Sequence, residues 1–421
     1  MRRVAYRICA GAIALGLGLI AAPAQASSVR VPLDYYGMNF QRLAQLEPAA
    51  QDTHLTRIAT LGISQVRLNA SWAAIEPRPP VAGVHSYRWG TIDEEIGALA
   101  RHGMRAQPTL TQPPDWDAVQ GTWVQLQCAK AASRSPVDVA PYATFVRGFA
   151  SRYGRHGAFW RAHPEVPYKP VLRYELWNEP NLKGGWCPHP QPWLYADLFV
   201  QAAQAIRAVD PLAAVYTGGV APPLAKDASN HQQYLGMAEF FRGATARQPN
   251  LGKLMTGADV HVYPGLDRES QLDRLGWFRS QLHDGRIPDR VPMIVNEVGW
   301  ATHVGKTPPS ESDRASAYAR MAVNYARTNC NVGGILPHTW ISPEQSSTDP
   351  EDWYGIANPS TGQPYDSARR YSYGVRLMRG QLPKEPPRRT LMACPGMPLP
   401  DLDRDGFPDE RDYFPLNAKR H

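Results

Sequence analysis

Eight short apolar segments, separated by amphipathic helical patterns, constrain the fold of this chain more than any other feature. They are rich in β-branched and aromatic residues, as strands are, and they span residues 35–40, 63–69, 104–110, 171–179, 213–219, 257–263, 291–299 and 333–340. Strand–helix alternation of this kind requires a parallel sheet. The sequence therefore predicts an α/β fold, most simply a closed (β/α)8 TIM barrel over residues 27–382. A doubly wound open sheet is the alternative, because the order of strand pairing cannot be deduced from the pattern.

The first 26 residues are predicted to be a secretory signal. Arg2, Arg3 and Arg7 precede an apolar stretch, and "AQA" at residues 24–26 forms a small-x-small cleavage site. The apolar stretch is short for a membrane span, which disfavours the alternative of an uncleaved anchor. We therefore expect a secreted mature chain, extracellular or periplasmic, with no membrane association after cleavage.

Charge and cysteine content narrow the functional classes. Removal of the signal takes away three arginines and no acids, so the formal net charge falls from +7 to +4. The remaining basic residues are scattered, and a nucleic-acid partner is not expected. Four cysteines remain, and an even number in an exported chain predicts two disulfides. We expect Cys128 to pair with Cys187, since both lie on long loops of one barrel face, and Cys330 then to pair with Cys394.

The fourth segment, "RYELWNEPNL", holds two glutamates. Strict alternation along a strand places Glu175, Trp177 and Glu179 on one side and Asn178 on the other. Glu179 precedes a proline that ends the strand, so it lies at the carboxyl end, where barrel enzymes place their chemistry. Glu175 lies deeper and needs a cationic partner. Arg67 on the second strand is the candidate, and Glu175 is therefore predicted to be structural.

A second carboxylate follows an asparagine at the end of another strand. "MIVNEVGW" places Glu297 at the end of the seventh strand, across a barrel from the fourth. Two facing carboxylates are what glycoside cleavage needs, because one protonates the leaving oxygen while the other attacks the anomeric carbon or activates water. One such strand end is unremarkable by itself, but the two together favour a glycosidase.

Other residues at strand ends fit the same site. The sixth strand offers His261 and Tyr263, and a tyrosine hydroxyl can hold a carboxylate ionised. Trp340 ends the eighth strand and is predicted to form a floor under the sugar, with core packing as the alternative. Asn178 is placed to donate a hydrogen bond to the 2-hydroxyl of the sugar.

Five motifs resemble the clan A glycoside hydrolases: "WNEPN", "NEVGW", "VRLNASWAAIEP", "VHVYPG" and "HTW". The resemblance covers residues 33–380 and is strongest to family 39, then to family 5. It implies that Glu179 is the acid/base, that Glu297 is the nucleophile, and that Arg67 and Tyr263 support Glu297. It also implies roles for Asn178 at the 2-hydroxyl and for Trp340 as the sugar platform. One departure is "PTLTQPP" after the third strand, where family 5 usually carries a histidine.

The chain ends in a different composition. A Pro-rich linker is predicted over residues 383–399, and an acidic tail over residues 400–421. The tail spaces five aspartates around a turn glycine, a pattern that suits Ca²⁺, and it is similar to bacterial thrombospondin type 3 repeats; the aspartates are Asp401, Asp403, Asp405, Asp409 and Asp412. A solvated acidic tail without bound calcium is the alternative.

Taken together, these features predict a secreted, monomeric, retaining glycosidase that needs no cofactor for catalysis. Its expected partner is a polysaccharide or oligosaccharide substrate. A sugar-binding barrel without catalysis is the first alternative. A metal-dependent barrel enzyme such as an isomerase is the second, although it needs several Asp, Glu and His ligands at the carboxyl ends of the strands.

Overall fold

The structure is a computed structural model that describes residues 31–128, 134–222, 234–346, 348–383 and 392–396. All eight predicted strands are present within these residues, each within a few residues of its expected place. They are β1 (Met38–Asn39), β2 (Gln65–Ser71), β3 (Arg105–Thr111), β4 (Arg173–Asn178), β5 (Ala214–Gly219), β6 (Ala258–His261), β7 (Met293–Glu297) and β8 (Val332–Ile335).

The strands form one closed parallel barrel. Continuous pairing runs from β1 to β5 and from β6 to β8, and two shorter sets of backbone hydrogen bonds join these sheets. Between β8 and β1, the Gly37 N–H donates to the Ile335 carbonyl at 2.9 Å; between β5 and β6, the His261 N–H donates to the Val220 carbonyl at 2.9 Å. The prediction of a (β/α)8 barrel is confirmed.

Helices surround the barrel and turn their apolar faces to the strands. In α5, for example, Asp138 caps the first turn by accepting from the Ala140 N–H, and Tyr142, Phe145 and Phe149 are fully buried. The α-helices of the described residues are α1 (Pro48–Thr60), α2 (Trp72–Ile75), α3 (Gly90–Arg101), α4 (Thr122–Cys128), α5 (Val139–Tyr153), α6 (Ala158–Ala162), α7 (Pro192–Val209), α8 (Met237–Arg247), α9 (Leu251–Leu254), α10 (Arg268–Asp284), α11 (Glu311–Asn324) and α12 (Asp366–Met378). Short 3-10 helices span Leu43–Gln45, Tyr325–Arg327 and Pro350–Trp353.

Both predicted disulfides are confirmed. Cys128 at the end of α4 is bonded to Cys187 in the loop after β4, which joins two loops on the carboxyl face of the barrel. Cys330, just before β8, is bonded to Cys394. The second bond fixes residues 392–396 to the barrel, where the Met392 N–H also donates to the Arg327 carbonyl at 2.7 Å.

The predictions for the two ends of the chain fall largely outside the described residues. The signal (1–26) and the acidic tail with Asp401 to Asp412 lie there, so secretion and the Ca²⁺ site stay predictions. Within the described part of the chain, none of the helices combines the length and the apolar character that crossing a membrane requires.

Candidate active site

The carboxyl ends of β4, β6 and β7 bring three predicted site residues together. Glu179 follows β4, His261 ends β6, and Glu297 ends β7. One carboxylate oxygen of each glutamate and one imidazole nitrogen of His261 all lie within 4.8 Å of one another. The two strand-end glutamates therefore face each other across the barrel.

Glu297 is surrounded by donors. Its Oε1 accepts from Arg67 Nη1 at 2.6 Å, and its Oε2 accepts from the Tyr263 hydroxyl at 2.8 Å. Nδ1 of His261 and Nδ1 of His338 lie 3.4 Å and 3.8 Å from Oε2. Burial alone would raise the pKa of Glu297. The charges of His261, His338 and Arg67, with the Tyr263 hydrogen bond, outweigh burial and hold this pKa well below its ordinary value. Glu297 is therefore an ionised carboxylate.

Arg67 is the hub of the buried polar network. Its Nε and Nη2 donate to the two oxygens of Glu175 at 2.6 Å and 2.9 Å, as the sequence predicted. Its Nη1 also donates to Asn39 Oδ1, and its Nη2 to Asn178 Oδ1, both at 2.8 Å. Burial disfavours the charge on Arg67, but Glu175 and then Glu297 raise its pKa above the ordinary value, so the guanidinium stays charged.

Asp259, a further carboxyl group in the barrel interior, lies in surroundings that favour its protonated form. Asn296 Nδ2 donates to Asp259 Oδ2 at 3.0 Å and to Glu175 Oε1 at 2.9 Å. Burial, followed by the nearby charge of Glu175, raises the pKa of Asp259 well above its ordinary value. Arg67 thus balances Glu175, and a further negative charge lies on Glu297 at the carboxyl end of β7.

Glu179 has a more open environment than Glu297. Its side chain is 27% exposed, against 8% for Glu297, and its Oε1 accepts from His261 Nδ1 at 2.8 Å. Its backbone N–H donates to the Gly219 carbonyl at 3.0 Å. The two facing carboxylates are therefore unlike: Glu297 is held by a guanidinium and a phenol, whereas Glu179 has an imidazole partner and access to solvent.

The predicted alternation along the fourth strand is wrong beyond Leu176. Trp177 and Glu179 have left-handed backbone conformations, with φ of 78° and 47°, and the first of these rotates the chain so that Trp177 points outward. Its indole packs against Trp186 and Tyr142, with ring centroids 4.9 Å and 5.7 Å away. Asn178, predicted to face away from Glu175, instead points inward to Arg67. Because Arg67 takes its Oδ1, the amide is oriented with Nδ2 as the remaining donor.

The prediction of Trp340 as a sugar platform is corrected by its position. Its side chain is fully buried, and its indole N–H donates to His54 Nδ1 at 3.0 Å. His54 lies on α1, so Trp340 packs between β8 and the helix layer, and core packing is the role that the structure supports.

Sequence reasoning missed His338, two residues before Trp340. It is 7% exposed and lies beside Glu297, and its Nε2 contacts Glu351 Oε2 at 3.0 Å. The "HTW" motif contained the signal, but alternation gives His338 and Trp340 the same side of a strand. Alternation therefore does not distinguish the two residues. The rings of Tyr263 and Tyr354 complete the wall around His338, at centroid distances of 6.3 Å and 5.2 Å.

The aromatic residues of the two long loops divide between core and surface. Trp186 is fully buried, and its indole N–H donates to Gln191 Oε1. The Trp116 indole N–H donates to the Glu76 carbonyl at 3.0 Å. Trp123 on α4 is 58% exposed, so of these three it has the ring that is most open to solvent.

Glu179, His261 and Glu297 are side chains of the types that bind metal ions. Among the described residues they are the single group of three or more His, Cys, Asp or Glu side chains with ligand atoms this close. Both oxygens of Glu297, however, already accept from Arg67 and Tyr263, and the Arg67 charge 2.6 Å away opposes a second cation. The arrangement is better suited to proton transfer and nucleophilic attack.

Comparison with known proteins finds solved structures with a similar fold. No family model and no curated protein matches the chain, but solved structures do. A GH39 beta-xylosidase from Caulobacter crescentus is 19% identical, covers 81% of this chain and 70% of its own, and has a TM-score of 0.55. A GH5_18 enzyme from Streptomyces cattleya in complex with GlcNAc is 16% identical, with 85% and 83% covered and a TM-score of 0.56.

A third similar structure is an exo-beta-1,4-mannosidase from Opitutaceae bacterium strain TAV5. It is 16% identical, with 86% of this chain and 65% of that chain covered and a TM-score of 0.55. At these identities the likeness shows a shared barrel fold. The first two of these structures carry the names of families 39 and 5, whose motifs the sequence resembles.

Proposed function

We propose that this protein is a secreted, retaining glycoside hydrolase that cleaves O-glycosidic bonds of a polysaccharide or oligosaccharide. One observation carries the proposal: Glu179 and Glu297 face each other, with one carboxylate oxygen of each within 4.8 Å of the other. Retaining glycosidases hold their two carboxyl groups about 5–5.5 Å apart, whereas inverting enzymes leave about 6.5–9.5 Å for a water molecule. The observed closeness favours direct attack by a carboxylate.

The environments of the two glutamates assign their roles. Glu297 is ionised and faces Glu179, while Arg67 holds its Oε1, so Glu297 is the nucleophile. Glu179 is solvent-accessible and is the proton donor to the leaving oxygen. Tyr263 has a pKa raised well above its ordinary value, by burial and then by Glu297, so it keeps its proton and donates to Oε2.

The reaction then follows in two steps. Glu297 Oε2 bonds to the anomeric carbon as the glycosidic C–O bond breaks, and Glu179 gives its proton to the departing oxygen. A water molecule next gives a proton to Glu179 and attacks the same carbon, which releases Glu297. Asn178 donates from Nδ2 to the 2-hydroxyl, and His261 keeps Glu179 aligned through Nδ1.

Several further properties complete the proposal. Export through the signal at residues 1–26, monomeric action, and a structural Ca²⁺ in the acidic tail are proposed on the sequence features given above. No cofactor is required for this chemistry. A substrate screen is needed to identify the sugar and the linkage that the enzyme cleaves.

The test begins with product analysis on polysaccharides and on 2,4-dinitrophenyl glycosides. NMR of the first-released anomer is expected to show retention. Glu297→Ala should lose nearly all turnover on every substrate, because no nucleophile remains. Glu179→Ala should keep the first step on dinitrophenyl glycosides, which need no protonation of the leaving group, and azide should restore its second step.

A matched control is Glu344→Gln, which changes an acid whose carboxylate accepts from the Tyr365 hydroxyl instead of facing the pair. This variant should keep wild-type turnover. An inverted product would reject Glu297 as the nucleophile. A folded wild-type protein that binds oligosaccharides without cleaving any of them would instead support a non-catalytic carbohydrate-binding barrel.

A further inference from the structure

His338 is a buried imidazole with one nitrogen anchored and the other aimed at Glu297. Its Nε2 lies 3.0 Å from Glu351 Oε2. Its Nδ1 lies 3.8 Å from Glu297 Oε2 and has no hydrogen-bond partner among the described residues. The backbone is also fixed, since the His338 N–H donates to the carbonyl of Val298, the residue after Glu297. His338 is thus held beside Oε2 of Glu297.

The charged and titratable groups around His338 come from several elements. Glu297 of β7 and Glu351 of the 3-10 helix are anionic, Arg67 of β2 is cationic, and the Tyr263 and Tyr354 rings flank the imidazole. Burial alone would lower the pKa of His338. Glu297 and Glu351 outweigh both burial and the opposing charge of Arg67, so the pKa lies above its ordinary value.

We propose that His338, anchored by Glu351, is a positioning residue that presents a charged N–H to Glu297 Oε2 as this oxygen leaves the anomeric carbon. The inference rests on the proposed function and deepens it. Arg67 already serves Oε1, Tyr263 donates to Oε2, and Nδ1 of His261 is shared with Glu179, so His338 is the further donor to the oxygen that gains charge. The 3.8 Å separation closes when the charge develops, as catalytic hydrogen bonds tighten beyond their resting lengths.

A charged His338 accelerates the second chemical step, in which the glycosyl–enzyme ester is hydrolysed. Water forms a bond to the anomeric carbon and passes a proton to Glu179, while the bond from that carbon to Glu297 Oε2 breaks and its electron pair returns to Oε2. Negative charge therefore appears on Glu297 in this step and disappears in the first step. A fixed cation beside Oε2 stabilises the second transition state relative to the neutral ester.

The first experiment measures the coupling without any substrate. Histidine labelled with ¹³C at Cε1 is followed by NMR across pH in the full-length protein, and the His338 signal is identified by its loss in His338→Gln. The titration midpoint of His338 should fall by about one pH unit in Glu351→Gln and in Glu297→Gln, since each removes an anionic neighbour. Glu344→Gln, on the same loop as Glu351, should leave the midpoint unchanged.

The second experiment separates the two chemical steps. With 2,4-dinitrophenyl glycosides the second step limits turnover, so His338→Gln should lower kcat about tenfold or more and should accumulate glycosyl-enzyme by intact mass. The pre-steady-state burst, which reports the first step, should not slow, because negative charge disappears from Glu297 in that step. In Glu351→Gln the fall of kcat at high pH should move to lower pH together with the NMR midpoint.

Two results would overturn the inference while leaving the proposed function standing. One is a His338 midpoint that does not respond to either Glu297→Gln or Glu351→Gln. The other is a His338→Gln enzyme that slows the burst and the steady state equally, because a general structural defect does this. Failure of the proposed function has a different signature, namely that wild-type protein never forms a covalent adduct with a glycoside it cleaves.

Discussion

Substitution of Gly219, at the end of β5, tests whether the position of the His261 ring matters for activity. A Cβ added at this residue would lie 2.0 Å from Nε2 and 2.4 Å from Cδ2 of His261. The conflict is purely steric, because Gly219 is not among the glycines with positive φ. Gly219→Ala therefore displaces the imidazole and leaves the strand conformation intact.

The displacement can be estimated from the distances. A contact of 2.0 Å must open to about 3 Å or more, so His261 has to move by about 1 Å. It cannot retreat straight toward the carboxylates, since its Nδ1 is already 2.8 Å from Glu179 and 3.4 Å from Glu297. It must slide sideways and lose the hydrogen bond to Glu179. A misplacement of 1 Å in a catalytic constellation costs about 10²-fold in rate, and overpacking of this size costs about 1–3 kcal/mol in stability.

The assay compares kcat/KM and the free energy of unfolding for Gly219→Ala and for Gly184→Ala. Gly184 lies on the loop after β4, and a Cβ there would meet nothing within 4 Å, so this control should match wild type in both quantities. Gly219→Ala should stay folded with turnover reduced about 100-fold. If it cleaves at the wild-type rate while folded, His261 does not position Glu179, and the argument from these distances is wrong.

Two further predictions concern stability. Glu95 in α3 is 4% exposed, and burial raises its pKa to about 7. The folded protein therefore binds the Glu95 proton more tightly than the unfolded chain does. The stability that this proton contributes to the folded state is complete below about pH 4 and is lost as pH rises through 7. Glu95→Gln should therefore raise the free energy of unfolding by about 1–3 kcal/mol at pH 8 and change it little at pH 4, whereas the exposed Glu94→Gln should have no such pH-dependent effect in the same denaturant titrations. Replacing Cys330 and Cys394 together by serine should lower the free energy of unfolding by about 2–4 kcal/mol. Turnover should persist, because Cys330 precedes β8 at the face of the barrel opposite the site. A double variant that is folded but inactive would contradict this placement.

The fold was predictable because its signals are local and repeated. Each strand is a short apolar run, and each helix between them carries its own amphipathic pattern, so eight repetitions leave few alternatives. The positions of Glu179 and Glu297 followed from the same logic, since strand ends are marked by Pro180 and Gly299. The disulfide pairing followed once the loops were assigned to one face.

The predicted side of Asn178 was wrong because the backbone of the fourth strand departs from its regular conformation. Alternation assumes extended geometry, and the left-handed conformation at Trp177 reverses it for Asn178. Such a conformation costs a non-glycine residue about 1–3 kcal/mol; the fully buried Trp177 indole, with its N–H bonded to the Gly185 carbonyl at 2.7 Å, offsets this cost. The burial of Trp340 was not predictable for a different reason, because its partner His54 is 286 residues away in sequence.

The choice between the three glutamates of the site depends on free lone pairs as much as on position. The oxygens of Glu175 accept from Arg67 and from the Thr109 hydroxyl, the Asn296 amide and the Gly219 N–H, so no lone pair remains for an anomeric carbon. The same Gly219 accepts from the Glu179 N–H and makes room for the His261 ring. One glycine thereby helps to saturate the structural glutamate and to position the proposed acid/base, while each oxygen of Glu297 accepts only one hydrogen bond. Charge, saturation and exposure thus agree that Glu175 supports the site and that Glu179 and Glu297 act in it.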